Sequence, residues 1–564
     1  MWPHGLTGPA ARPKFEAFIA SRSGIDNSPR IILRTLRVQL VAVGLALFPA
    51  AAGAQTFRTA DTVIKRMWQL GMEESRVEAL AQVLVDSIGP RLSGSPGFAS
   101  AVEWLERTYQ GFGIPARRER YGTWRGWRAG PTHLDLIGPR SQTLDVELLA
   151  WSPGTGGRAV EGDVVAIPDL ADDAAVAQWL RSIRGKFVLV SAPEIMCRAP
   201  QELERYARAQ TITRLNARRT EVQQLNTKRF RSLAPSTATP QQVGGIVYSR
   251  LDSAGVAGVL SSLWSGGWGV NKIFGANTQR VPSVDVSCED YGLLHRLASN
   301  NQSPRVRLLA ESQATPAEVP MFNVVAELKG TELPNEYVLL SAHLDSWHGA
   351  TGATDNGTGT LTMLEAMRIL HTAYPRPRRT ILVGHWGGEE QGTIGSLSFA
   401  EDHPEVITGL QTAFNQDNGT WRAELLEGQG FGKASGNLAR WVAQLPNEIS
   451  DSLRLSSPGN QANAGSDHTS FLCRSAPAFR LQSSYAEYRQ YTWHTNRDTY
   501  DKIVFDDLKQ NATLAAMLAY AASEDRERVP RDQSVLPPLP NGQPRAWPNC
   551  QQARRSFAPT SVRP

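Results

Sequence analysis

Two histidines and a group of carboxylates in this chain stand where the ligands of a metal would stand. His343 ends the apolar run of "YVLLSAHLD", with Asp345 two residues on. Asp355 follows in "GATGATDNGTG", a stretch of good loop residues and poor core residues. Glu389 and Glu390 end "TILVGHWGGEE", Asp417 ends "LQTAFNQD", and His494 stands in "YTWHTNRDTYD". Each alone is ordinary. A histidine at a strand end is usually structural, a Glu-Glu pair is usually solvated, and an aspartate in a Gly-rich turn usually bonds its own backbone. Together they offer nitrogen and oxygen ligands with a carboxylate to share, which is what two neighbouring divalent cations need. Two such cations repel, and a carboxylate between them lowers that cost.

For these residues to meet, the runs that end in them must be neighbouring strands. "NVVAEL", "YVLLSAH", "TILVGHW" and "LQTAFNQ" alternate with helical patterns such as "TGTLTMLEAMRIL" and "GSLSFAEDH". That alternation predicts an α/β fold with a mostly parallel central sheet flanked by helices. In such a sheet ligands bind beyond the carboxyl ends of the strands, where the histidines and carboxylates converge. Residues 317–530 are expected to form the main part of this sheet and to carry the candidate ligands. Residues 55–151 supply an N-terminal part, in which "SRVEALAQVLVDSIG" and "FASAVEWLERTYQGFGI" read as helices around the break "GPRLSGSPG". Residues 152–316 form a second region of short strands separated by glycine. Its long charged stretch "QELERYARAQTITRLNARRTEVQQLNTKRFRSL" predicts a solvated helix. Residues 531–564 make a Pro-rich tail with little core of its own.

A chain of 564 residues is long enough for two or three domains. Hydrophobic content of 41% and charged content of 20% describe a globular protein. The net charge of +5 does not indicate a nucleic-acid surface, because it is concentrated at the N-terminus. There Arg12, Lys14, Arg22, Arg30, Arg34 and Arg37 face only Glu16 and Asp26. Arg34 and Arg37 precede "VQLVAVGLALFPAAAGA", so residues 1–54 read as a signal-peptide region cut before Gln55. Pro49 and the short apolar length argue against a spanning helix. Export to a periplasmic or extracellular compartment would let Cys197, Cys288, Cys473 and Cys550 form up to two disulfides, with three pairings open.

The segments "HLD", "TDN", "GGEEQGTIGS", "QDNG", "GSDHTSF" and "HTNRDT" occur in the order and spacing of the M28 zinc peptidases, and the chain resembles their carboxypeptidase Q branch. The resemblance covers most of the mature chain, and "DSIGPRLSGSPG" is similar to the family's lead-in segment. It implies that 152–316 is an inserted, β-rich protease-associated domain leaning over the carboxyl edge of the sheet. It implies two Zn²⁺ per chain, with His343 and Asp417 on one, Glu390 and His494 on the other, and Asp355 between them. Asp345 would orient a histidine, Glu389 would be the general base, and the Asp355–Asn356 peptide would be cis. Where several family aminopeptidases have tyrosine beside the last histidine ligand this chain has Trp493, so Tyr491 or the indole N–H would have to serve a developing oxyanion. His468 would line substrate or be structural, and His348 and His385 would be structural.

The activity implied is that of an exported metallo-exopeptidase acting on short peptides through a metal-bridging hydroxide. G-x-S-x-G and H-E-x-x-H are absent from the sequence, which removes the serine-hydrolase and single-zinc-helix readings. Aminopeptidase and carboxypeptidase or dipeptidase specificity both remain, with Arg422 and Lys433 as cations for a substrate carboxylate. A binding protein that has lost catalysis is the reading from another class, and the complete ligand set argues against it. The expected partner is a short peptide, with no nucleic acid, no stable membrane insertion after signal cleavage, and a homodimer allowed.

Overall fold

The strands that end in candidate ligands are neighbours in the computed structural model, which describes residues 59–459, 465–534, 538–539, 541–544 and 546–557. The expected signal-peptide region lies outside the described residues. Ala478–Ser483, Leu410–Asn415, Leu333–His343 and Arg379–Trp386 lie side by side in that order, and each pair runs parallel. All residues of Arg379–Trp386 and Leu410–Asn415 are buried, as in central parallel strands covered on both faces. Helices Thr358–Ala373 and Phe505–Glu524 pack on one another and against these strands.

Register decides what reaches the sheet edge. Trp386 pairs with His343, so the Gly387–Gly388 turn carries Glu389 and Glu390 just beyond the level of His343. Asn415 pairs with Ser341, which brings Asp417 level with His343 on the other side. The sheet extends beyond this parallel core. Arg305–Leu328 pairs antiparallel with Arg379–Trp386 and, along most of its length, with Ala116–Gly138. This long ribbon joins the catalytic strands to Val160–Ala166, giving one sheet of fourteen strands among the described residues.

Within 152–316 the structure differs from a β-rich unit. Val160–Ala166, Phe187–Leu189, Gly258–Ser261 and Ser283–Val286 are short strands paired in parallel. Parallel neighbours need long crossovers: helix Asp173–Ser182 supplies the first, Ala209–Ser232 and Pro240–Ala254 the second, and the loop 262–282 the third. Val176, Val188, Val247, Leu251 and Val259 form a small core separate from the main one. Helix Ala209–Ser232 buries no residue, in keeping with its charged sequence. The cysteines pair as Cys197–Cys288 and Cys473–Cys550. No helix among the described residues is long and apolar enough to cross a membrane.

Candidate metal centre

Asp355 lies between two groups of ligating side chains. One of its oxygens, Oδ1, is 3.5 Å from His343 Nε2, which is 3.6 Å from Asp417 Oδ1. The other, Oδ2, is 3.2 Å from His494 Nε2, which is 2.9 Å from Glu390 Oε2. Either trio, His343–Asp355–Asp417 or Asp355–Glu390–His494, is compact enough to hold a cation. The donor chemistry fits: Asp355 Oδ2 and Glu390 Oε1 are buried without a hydrogen-bond partner, and an orphaned buried carboxylate oxygen is costly unless a cation meets it. Glu389 belongs to neither trio, yet it lines the same cavity of about 450 Å³ as Asp355, Glu390, Asp417 and His494.

The groups that hold these ligands come from four parts of the chain. His343 Nδ1 is 3.0 Å from the backbone carbonyl of Asp345, whereas the Asp345 carboxylate is 3.7 Å from it. Asp345 therefore orients the histidine through its main chain. Its carboxylate accepts the backbone N–H groups of Glu389 (3.1 Å) and Glu390 (3.3 Å) and fixes the turn that carries them. Asp498 does the same for the bridging residue, accepting from Thr354 N at 2.8 Å and Asp355 N at 3.0 Å. The Asp355–Asn356 peptide is cis. Arg91, in the break "GPRLSG", is fully buried. Its guanidinium donates to the carbonyls of Leu344, Thr351 and Gly352 and so staples both ends of the loop between His343 and Asp355.

Residues 272–274 supply the fourth part. Ile273 N donates to the carbonyl of His494 at 2.8 Å. Phe274 meets the His494 ring edge-on at 5.2 Å, and Lys272 Nζ donates to the carbonyls of Arg489 and Trp493. His494 has φ 58°, a conformation that a non-glycine residue keeps only where its surroundings impose it. The insert thus contacts the metal-facing end of the sheet.

Charge is concentrated here. Burial pushes Glu389 well above the usual carboxylate range; His343 opposes this, and Asp417, Asp467 and Glu390 add to it. Burial likewise pushes Glu390 up to about 7, with Asp355 adding to it. Burial alone would lower His494, but Glu390 and Asp355 hold it up at about 9.

Other sequence-predicted residues fall as follows. His385 bonds Tyr109 and His348 bonds the carbonyl of Leu148, both away from the ligands. His468 is buried, outside both trios and not on the cavity wall. Tyr491 packs against Gly267 rather than lining the cavity, whereas Trp493 lines it, as does Tyr488, which the sequence reading missed. Arg422 and Lys433 do not line the cavity either. The guanidiniums that do are Arg480, tied to Asn418 Oδ1 and Tyr485, and Arg489, stacked over Trp493.

A model of peptidase family M28 matches residues 323–519, a span that holds all five candidate ligands. Carboxypeptidase Q of Rattus norvegicus is 24% identical over 499 residues, covering 86% of this chain and 96% of the relative. Residues 323–519 thus carry the M28 peptidase pattern, and the carboxypeptidase Q relatives match nearly the whole chain. Among solved structures, the M28 peptidase precursor of Shewanella amazonensis superposes with a TM-score of 0.60 at 21% identity, covering 85% of this chain and 98% of that one. The zinc aminopeptidase of Bacillus subtilis gives 0.51 at 19% identity, covering 81% and 97%. At these identities the likeness to the solved structures is one of fold, and it makes the M28 architecture that of this chain.

Proposed function

We propose that this M28 peptidase is an exported dizinc exopeptidase that cleaves dipeptides and short peptides, taking them by the free α-carboxylate. The observation that carries this is Asp355 shared between two ligand trios, with Glu389 beside them and outside both. His343 and Asp417 would hold one zinc, Glu390 and His494 the other. When bound, the ions polarise the peptide carbonyl and lower the pKa of water. Glu389 takes the proton of the attacking water on its carboxylate and returns it to the leaving amine. Tyr488, kept protonated by burial and by the field of Asp355 and Asp417, and the indole of Trp493 are the cavity-lining donors offered to a developing oxyanion.

The carboxylate reading rests on which charges line the cavity. Its lining carboxylates are Asp355, Glu389, Glu390 and Asp417, all engaged by the metals or the proton transfer, and none is left for a substrate amine. Arg480 and Arg489 are cations at the same wall, and guanidinium is suited to a planar carboxylate. The name of the carboxypeptidase Q relatives points the same way. Export is supported by the two disulfides, which persist in oxidising compartments. Chelation should abolish hydrolysis of a free dipeptide and added zinc should restore it. An amino-blocked dipeptide should still be cleaved and a carboxyl-blocked one should not. The reverse pattern of blocking would make the enzyme an aminopeptidase, and full activity in demonstrably metal-free protein would remove the mechanism.

A further inference from the structure

The cavity that contains Asp355, Glu389 and Asp417 has part of its wall from the far C-terminus. Pro548, Asn549 and Gln551 line it together with Thr469 and Cys473. The composition of this tail gives it no reason to stay there, yet it is fastened on both sides of the lining residues. Between Asn549 and Gln551, Cys550 is bonded to Cys473. On one side Trp547 donates its indole N–H to the carbonyl of Leu472 at 2.8 Å and meets Phe431 edge-on at 5.1 Å. On the other side Ala553 N donates to Glu401 Oε1 at 2.9 Å, and the Arg555 guanidinium pairs with Glu401 and Asp402 at 3.0 and 2.8 Å. The carbonyl of Arg555 accepts from Thr123 N at 2.9 Å. A Cβ on Gly122 would lie 2.2 Å from that same oxygen, so this approach of tail to ribbon requires a glycine. Glu401 and Asp402 end the helix Ile394–Asp402. The residue before that helix, Thr393, lines the cavity, and Glu389 and Glu390 precede it in the chain.

The tail is thus pinned to elements on both flanks of the cavity, and the segment between the pins forms part of the wall. Its polar side chains there, Asn549 and Gln551, carry no charge and are exposed to the cavity. They can accept or donate to a peptide backbone, but their main effect is to occupy space. We propose that 547–551 is a fixed wall that sets the length of peptide the site accepts, with the Cys473–Cys550 bond as its tether.

The inference rests on the peptidase reading and deepens it. It is tested on the full-length zinc-loaded enzyme by the ratio of kcat/KM for a free hexapeptide to that for a free dipeptide of the same terminal residues. In the Cys473→Ser/Cys550→Ser variant, which removes the tether and keeps the whole tail, that ratio should rise about tenfold, the scale of a changed pocket contact, with zinc per chain unchanged. In Asn549→Trp, which thickens the wall at an exposed position, the tripeptide-to-dipeptide ratio should fall about tenfold. The second variant carries the test if the first fails to fold. Ratios unchanged in the folded variants, or long and short substrates falling in parallel, would overturn the wall. Wild-type enzyme that cleaves neither peptide in zinc would overturn the peptidase reading and the wall with it.

Discussion

Glu389 and Glu390 are adjacent and chemically alike, and the structure separates them by position. Glu390 Oε2 is 2.9 Å from His494 Nε2 and has a second oxygen without a hydrogen-bond partner, as a ligand would. Glu389 stands outside both trios in the cavity. Glu389→Gln keeps size and hydrogen bonding but removes the basic lone pair. It should retain both zincs and substrate affinity while turnover falls by about two to four orders of magnitude, the scale of general acid–base catalysis. Glu390→Gln should instead weaken one zinc site, with activity partly recovered in excess metal. Zinc per chain, measured beside the rate, tells the two apart. The candidate ligands that the structure brings together were legible in the sequence because each stands at the end of an apolar strand or in a polar loop, where the core gives no reason for it. Arg91 and Asp498 were not, because their partners are backbone carbonyls and N–H groups, which every sequence has. Only the approach of distant segments shows that Arg91 spans Leu344 to Gly352. Arg480 and Arg489 were hidden for a similar reason: whether an arginine faces a cavity or solvent depends on the path of the neighbouring chain.

The same contrast holds for elements. The parallel strands were legible because burial on both faces makes them continuous apolar runs. In the ribbon Ala116–Gly138 only "THLDLIG" alternates as a strand does, since the preceding "ARRERYGTWRGWRAGP" is largely polar. Its pairing is also interrupted by register shifts at Arg120/Gly122, Arg125/Trp127 and Ala129/Thr132, so no simple alternation survives. The contacts that residues 272–274 make beside His494 were not legible in the sequence. Lys272 is half-buried, donates to the carbonyls of Arg489 and Trp493 at 2.9 Å each, and lies 4.2 Å from the Trp493 ring centre. Trp493 in turn stacks on His494 at 3.8 Å. Lys272 is therefore a positioning residue, acting on the metal ligand through the segment it holds. Lys272→Met keeps the stem and removes the donors. The affinity of the weaker zinc should fall about 10- to 100-fold, the usual effect of losing a group that orients a ligand. The Cys197–Cys288 unit should stay folded, and Lys272→Arg should recover part of the loss. Zinc titration of the chelated protein measures it, and unchanged affinity in Lys272→Met would show that the insert does not hold the ligand.

Across the whole molecule, most of the net positive charge precedes the described residues, and the buried centre collects Asp345, Asp355, Asp417, Asp467 and Asp498 beside Glu389 and Glu390. Without metal these groups bind protons more tightly in the folded state than in the unfolded one. Burial pushes Glu390, Asp467 and Asp498 up to about 7. The carboxylates hold His494 up at about 9 against its burial. Groups raised in this way stabilise the fold fully below their unfolded values, and that contribution is lost as pH rises through the folded ones. For the acids the loss falls between the ordinary value, 4.5 for Glu390, and about 7; for His494 it falls between 6.5 and about 9. Asp355 is held below its ordinary value, so its opposite contribution changes only in stronger acid. Chelated protein should therefore melt at progressively lower temperature from about pH 6 to about pH 9. Zinc-loaded protein should show the opposite linkage, because metal binds the deprotonated ligands and displaces their protons. The difference in Tm between loaded and chelated forms should widen steadily over that range. Thermal scans with and without chelator at several pH values measure it. A chelated protein whose Tm is flat or rises toward pH 9 would mean that the acids around Asp355 do not carry the charge that bound metal would neutralise.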